Sequence, residues 1–288
     1  MKAMILAAGL GTRLRPLTDN RPKALVELSG RTLLEITLTR LRAFGITEAI
    51  INVHHFADQI TDYLKSKNNF GLRIEISREE VLLDTGGGLK KAAWFFLEGP
   101  ASLDEPFLLH NVDVISTIDL RAMLQFHTEN HALATLAVQS RKTSRYLLFD
   151  DHNQLRGRRT SGTAISGCAP QMTATLNPSG TASSRPETAV NCHSERSEES
   201  AFSESPEGRS QPYQALAFSG IHIISLRLLP MLTEEGIFSI IPSYLRLSAQ
   251  GEKILAFRAD QYYWRDLGRS ADLAQAALDL ESGLRAEG

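Results

Sequence analysis

Residues 1–30 read MKAMILAAGLGTRLRPLTDNRPKALVELSG, and this stretch decides the fold. A short apolar run, Ala3 to Leu6, feeds a glycine-rich loop with Gly9 and Gly11, and Thr12 and Arg13 follow at once. Pro16 and Pro22 then frame the path to Lys23. Glycines after a strand let backbone N–H groups approach an anion, because no Cβ stands in the way. Arg13 and Lys23 add fixed positive charge to the same place. The stretch reads as a site for a triphosphate.

Two commoner glycine patterns fail. Gly9-Leu10-Gly11-Thr12-Arg13-Leu14 begins like a dinucleotide fingerprint, but Leu14 stands where a third small residue should pack helix on strand. Pro16 and Pro22 block the helix that should open there. The next apolar strand, Ile50-Ile51-Asn52-Val53-His54-His55, ends without an acid to hold a ribose. A P-loop would need Gly-Lys-Ser/Thr, which is absent. The complete run, L-A-A-G-x-G-T-R-L-x-P-L-T-x-x-x-P-K-x-L, resembles the signature of the sugar-1-phosphate nucleotidyltransferases. Within that family the short chain is most similar to the N-acetylmuramate-1-phosphate uridylyltransferases and the mannose-1-phosphate guanylyltransferases.

The 288 residues carry a net charge of −2 and are 42% hydrophobic, enough for one sizeable core or two modest ones. A near-neutral balance argues against a nucleic-acid surface, which needs a basic face. The apolar run at the N-terminus is too short for a signal-peptide core, and no stretch reaches membrane-spanning length. A cytoplasmic protein, monomer or homodimer, is expected, with no membrane partner. Cys168 and Cys192 form neither a disulfide framework nor a metal spacing.

Strand and helix patterns alternate through the first half. Ala3–Leu6, Glu48–Val53, Leu72–Ser77, Phe107–His110 and Leu133–Val138 read as strands, with amphipathic helices between them. This predicts an α/β fold with a Rossmann-like mixed, mostly parallel sheet flanked by helices, of the nucleotide-diphospho-sugar transferase type that the resemblance implies. Tyr146–Phe149 and Leu155–Arg156 read as a hairpin. Residues 157–212 are rich in Ser, Thr, Gly, Pro and Glu, so a disordered insertion is expected there. Residues 1–156 and 213–288 then form a single domain, in which Leu216–Ile224, Ile254–Arg258 and Tyr262–Trp264 are strands. Ser225, Ser239 and Ser270 are placed to cap helices. No hexapeptide repeat follows that would build a further β-helix domain.

Four further constellations carry chemistry. Phe107-Leu108-Leu109-His110-Asn111-Val112-Asp113 is an apolar strand ending in a carboxylate at the sheet's edge, where Mg²⁺ could meet phosphate oxygens. Alone, Asp113 also reads as a turn residue, and Val112 stands where the family commonly has glycine. Trp264-Arg265-Asp266-Leu267-Gly268 resembles the family's W-x-D-x-G motif, which implies Asp266 as the second Mg²⁺ ligand. Asp84-Thr85-Gly86-Gly87-Gly88 puts three glycines at a helix start, where N–H groups are exposed to a ligand. Phe218-Ser219-Gly220-Ile221 resembles the segment lining the sugar pocket.

The resemblance implies a nucleoside triphosphate and a sugar 1-phosphate as substrates. Arg13 and Lys23 are the catalytic cations it assigns. Leu6, Ala8, Gly9, Gly11, Thr12, Asp84, Thr85, Gly86 and Gly87 would hold the nucleotide, and Gly88, Asn111, Ser219 and Gly220 the sugar. Larger members also use a lysine in a Glu-Lys-Pro-like motif, which is missing here, and Arg156, Arg158 and Arg159 lie nearest its place. His54 and His55 alternate across a strand and are expected to be structural, with one of them near the sugar pocket. A non-catalytic nucleotide-sugar sensor on the same fold is the rival reading, and it would be expected to have lost Lys23 or an aspartate.

Overall fold

Alternation along Lys2–Leu6 sets the first layer of the molecule. Met4 faces one side of a sheet and joins a cluster with Phe95, Phe96, Phe107 and Tyr244, while Ala3 and Ile5 face the other and join Leu34, Leu38 and Leu41. A strand buried on both faces needs helices above and below it. In the computed structural model, which describes residues 1–98, 102–160, 166–167 and 213–282, that is the arrangement found.

The chain runs β1 (Lys2–Leu6), the short pair β2 (Glu27–Leu28) and β3 (Arg31–Thr32), α1 (Leu33–Phe44), β4 (Glu48–Val53), α2 (Ala57–Ser66), β5 (Arg73–Arg78) and α3 (Asp84–Leu97). It continues with β6 (Pro106–Asn111), β7 (Val114–Ser116), α4 (Leu120–Glu129), β8 (Ala134–Gln139), β9 (Arg145–Phe149), β10 (Leu155–Thr160) and β11 (Ser166–Gly167). The last elements are β12 (Gln214–Ser225), α5 (Ile240–Ala249), β13 (Ile254–Arg258), β14 (Trp264–Asp266) and α6 (Ser270–Glu281). The main sheet has the order β11-β10-β9-β12-β6-β1-β4-β5, with β8 on β12 and β13 on β8. Its β6-β1-β4-β5 part is parallel, and β12 runs antiparallel to β6, β8 and β9.

The expected strands of the first half appear within a residue of their predicted limits. The hairpin of β9 and β10 is present but continues to Thr160, so ordered strand extends past the expected boundary at 156. Most of the proposed insertion, 161–165 and 168–212, lies outside the described residues. Helix starts differ from the serine-cap expectation. Ser225 Oγ instead donates to Ala132 O, Ser239 makes no side-chain cap, and Ser270 is already inside α6 behind Arg269. No helix among the described residues is long and apolar enough to cross a membrane.

A third cluster positions the ends of the chain. Leu14, Val26, Leu28, Leu33, Ile115, Leu267, Leu273 and Ala276 pack together. It ties the glycine-loop segment to the β7–β14 pair and to α6.

Candidate active site

Strand β1 delivers the glycine loop to the edge of the parallel half of the sheet, where ligands gather in open α/β sheets. Gly11 has φ +65°, a left-handed backbone that suits glycine, and a Cβ there would press on Thr18 and Lys23. Thr18 Oγ1 donates to Gly11 O at 2.8 Å, folding the loop back on itself. A Cβ on Gly9 would meet open space, so the room beside it is left for a ligand.

Two cavities open here. The first, about 510 Å³, is lined by Leu6, Ala8, Gly9, Gly11, Thr12, Lys23, Asp84 and Thr85 among others. The second, about 830 Å³, is lined by Ser219, Gly220, Trp264 and Asp266 together with several arginines. Arg13, Asn111 and Asp113 line both. The sequence-predicted residues thus meet in one place, with three exceptions.

Gly86, Gly87 and Gly88 are the exceptions, and they correct the reading of the triple glycine. The Gly86 and Gly87 amides both donate to Phe238 O, at 2.9 and 3.1 Å, so they are not open to a ligand. All three glycines are buried and line neither cavity. A Cβ at Gly86 would strike the Phe238 ring, at Gly87 Gly236 O, and at Gly88 the Glu79 carboxylate. Their smallness lets the segment before α5 dock on the start of α3. Thr85 shares this work, since its hydroxyl accepts from Ile240 N at 3.0 Å.

The four catalytic candidates come from three distant segments. Lys23 Nζ donates to Asp113 Oδ2, and both are largely buried. Leu267 N donates to Asp113 O at 2.8 Å, and β14 pairs Asp266 with Val114, which sets the two aspartates side by side. The Arg13 guanidinium lies over Gly268, where a Cβ would come within 2.7 Å of it and 2.6 Å of Asp266 Oδ1. Burial, and then the charge of Asp113, push the Asp266 carboxyl above its ordinary range, while Lys23 and Arg13 oppose the rise. Strand β14 covers 264–266 rather than the expected Tyr262–Trp264, so the aspartate is held by the β7 ladder instead of a loose turn.

Among the described residues no group of three or more His, Cys, Asp or Glu converges on a metal position. Two adjacent carboxylates still suit a hard divalent cation, provided that substrate oxygens complete its shell.

Sequence reasoning missed Asn52 and Glu79. Both are at least nine-tenths buried yet line the first cavity. Asn52 Oδ1 accepts from Ala7 N at 2.8 Å, its Nδ2 donates to Glu79 Oε1 at 2.7 Å, and Glu79 Oε2 accepts from Leu83 N at 2.9 Å. The clasp ties β1, β4 and the entry to α3 into one floor. A polar residue inside the apolar run Ile50-Ile51-Asn52-Val53 was the available signal. His54 binds Glu79 O through Nδ1 and His55 packs on Phe56, and neither lines either of the two cavities, so the pair reads as structural and lies outside the cavity assigned to the sugar. Arg156 is bound to Asp150 at 2.7 Å outside both cavities, whereas Arg158 and Arg159 do line the second.

Comparison with known proteins agrees with this geometry. The family model described as nucleotidyl transferase matches residues 2–150. N-acetylmuramate alpha-1-phosphate uridylyltransferase of Caulobacter vibrioides is 49% identical over 114 residues, covering 38% of this chain and 47% of that protein. Its namesake in Neisseria meningitidis serogroup B is 42% identical over 126 residues, covering 43% and 52%. The chain spans about half the length of these curated relatives in the matched part. HddC from Yersinia pseudotuberculosis, crystallised with GMP-PN, aligns over 97% of this chain and 99% of its own with a TM-score of 0.66 at 19% identity, a likeness of fold. A glycine loop with its arginine and lysine, two aspartates at one sheet edge and a matching family model lead to one conclusion: the chain belongs to the nucleotidyl transferase family.

Proposed function

We propose that the protein joins a nucleoside triphosphate to a sugar 1-phosphate, giving an NDP-sugar and pyrophosphate, with uridylyl transfer favoured over guanylyl transfer. The observation that carries this is the meeting of Arg13, Lys23, Asp113 and Asp266 where the two cavities join. One cavity then takes the nucleotide and the other the sugar. An oxygen of the sugar phosphate attacks the α-phosphorus, the bond from that phosphorus to the oxygen bridging the β-phosphate breaks, and pyrophosphate leaves with the electron pair. No covalent enzyme intermediate is needed, and positioning with charge neutralisation supplies the rate.

Arg13 neutralises the departing pyrophosphate, and Lys23 lies against the α-phosphate and the incoming oxygen. Asp113 and Asp266 would hold Mg²⁺, which when bound neutralises phosphate charge at the reacting centre. Uridine is favoured because the Caulobacter and Neisseria relatives are named as uridylyltransferases. We extend the reading to a role in making cell-wall or surface-polysaccharide precursors in the cytoplasm. The sensor reading loses support because Lys23, Asp113 and Asp266 are all present and adjacent.

The test is pyrophosphate release with Mg²⁺, each of the four common triphosphates, and glucose, mannose and N-acetylmuramate 1-phosphates. Release with UTP and one sugar is expected. No release with any pair would sink the assignment and favour a sensor.

A further inference from the structure

Strand β12 loses register against β8 between Phe218 and His222, and Gly220 at φ +76° sits inside the break. Two carbonyls there are taken by side chains instead of the ladder. Ser219 O accepts from Trp264 Nε1 at 2.7 Å, and Phe218 O accepts from the Arg141 guanidinium at 2.6 Å. Trp264 and Arg141 then close on each other, with the guanidinium 3.6 Å from the indole ring centre.

Arg141 is therefore fixed in place, yet its chemistry is incomplete. It makes no ion pair with a carboxylate among the described residues, and its buried Nε–H has no acceptor. Buried donors are almost always paired, and a guanidinium has five of them in a planar fork that matches an oxyanion. Stacking on an aromatic face strips water from the cation without neutralising it. The field of Asp266 reaches it, which sets it beside the reacting centre. Arg141 lines the second cavity and not the first.

Resting on the nucleotidyl-transfer reading, we propose that Arg141 is the residue that binds the phosphate of the sugar 1-phosphate and turns one of its oxygens toward the nucleotide. The neighbouring cations are less suited. Arg156 is spent on Asp150, Arg159 lies 5.4 Å from the Tyr146 ring at the cavity's edge, and Lys142 and Arg145 are exposed. They add field at the rim, while Arg141 supplies directed hydrogen bonds.

Arg141→Gln and Arg141→Lys in the full chain test this by steady-state pyrophosphate release with UTP and the best of the three sugar 1-phosphates. In Arg141→Gln the KM for the sugar 1-phosphate is expected to rise ~30-fold or more, with the KM for UTP changed less than about threefold. Arg141→Lys keeps the charge but loses the fork and the stack, so it falls between. A second readout needs no turnover: the sugar 1-phosphate should protect the wild type, but not Arg141→Gln, against thermal unfolding, while UTP protects both. If Arg141→Gln fails to fold, Arg141→Lys carries the test through its KM split. A sugar KM within twofold of wild type in the folded variants, or a parallel rise for UTP, overturns the proposal alone. A wild type that releases no pyrophosphate with any pair overturns the transfer reading and this assignment with it.

Discussion

The two cavities are built from different material. The first is shaped by main chain: the β1 loop, the Gly11 turn, and a floor where Asn52 and Glu79 clasp Ala7 N and Leu83 N. The second is shaped by side chains on strands far apart in sequence, with Arg141, Trp264 and the broken register of β12 at its centre. Main-chain walls hold a group common to many ligands, such as a polyphosphate, while side-chain walls can be exchanged to suit one ligand. On the proposed function, the first cavity takes the group shared by many ligands, and the second selects the sugar.

The sharpest way to break the comparison lies at the seam between the cavities. Lys23→Ala should lower kcat/KM ~10³-fold, measured by pyrophosphate release, because a preorganised cation is lost at the reacting phosphate. The protein should still fold. Since Lys23 donates to Asp113 and competes with a cation for it, Mg²⁺ should raise the melting temperature of Lys23→Ala more than that of the wild type. An equal shift in both proteins would remove Asp113 from the metal site.

Gly268→Ala should come next. Its Cβ would press on Arg13 and Asp266, so kcat should fall ~10²-fold through misplacement, with the melting temperature nearly kept. Gly87→Ala makes the opposite pattern. Its Cβ would meet Gly236 O at 2.5 Å in a closed contact, so a loss of ~1–3 kcal/mol in urea unfolding is expected. A stable Gly87→Ala with only a raised KM for UTP would restore the ligand role that the structure removes from this glycine.

The most gradual effect, spread over pH rather than over variants, is a slope in stability. His127 sits between Thr135 Oγ1 and Ser225 Oγ, and burial, helped by Arg227, lowers its pKa to about 4. His222, bonded to Tyr244, is lowered to about 3 by burial and by His110. Both are neutral in the fold and take up protons more readily when unfolded. Their contribution is complete above the unfolded value near 6.5 and is lost as pH falls from there toward 4. Urea midpoints between pH 7 and pH 4.5 should decline, and His127→Gln should flatten the slope.

The same contrast explains what the sequence disclosed. Glycine loops and buried apolar strands are local, so β1, β4 and β6 and the residues Gly9 to Lys23 were legible from the chain alone. The role of Gly86 and Gly87 was not, because the acceptor of their amides, Phe238 O, lies about 150 residues later. Asp266 was recognised by its motif, but its strand was shifted by two residues, since a three-residue ladder to β7 leaves no periodicity to read. Arg141 lies in Ser140-Arg141-Lys142-Thr143-Ser144-Arg145, which looks like a solvated charge run until Trp264 is folded beneath it.

Leu14 and Leu267, the chain neighbours of Arg13 and Asp266, share one packed cluster with Leu273 and Ala276 of α6. Binding and local order are therefore linked across the molecule's two ends. On the proposed function, a ligand held by Arg13 and Asp266 is expected to steady the last helix as well, by the reciprocity that governs any coupled pair of equilibria. Amide hydrogens of α6 beyond Asp272, the one residue of that helix lining the second cavity, should exchange more slowly when the site is filled. The helix is in effect a remote gauge of occupancy.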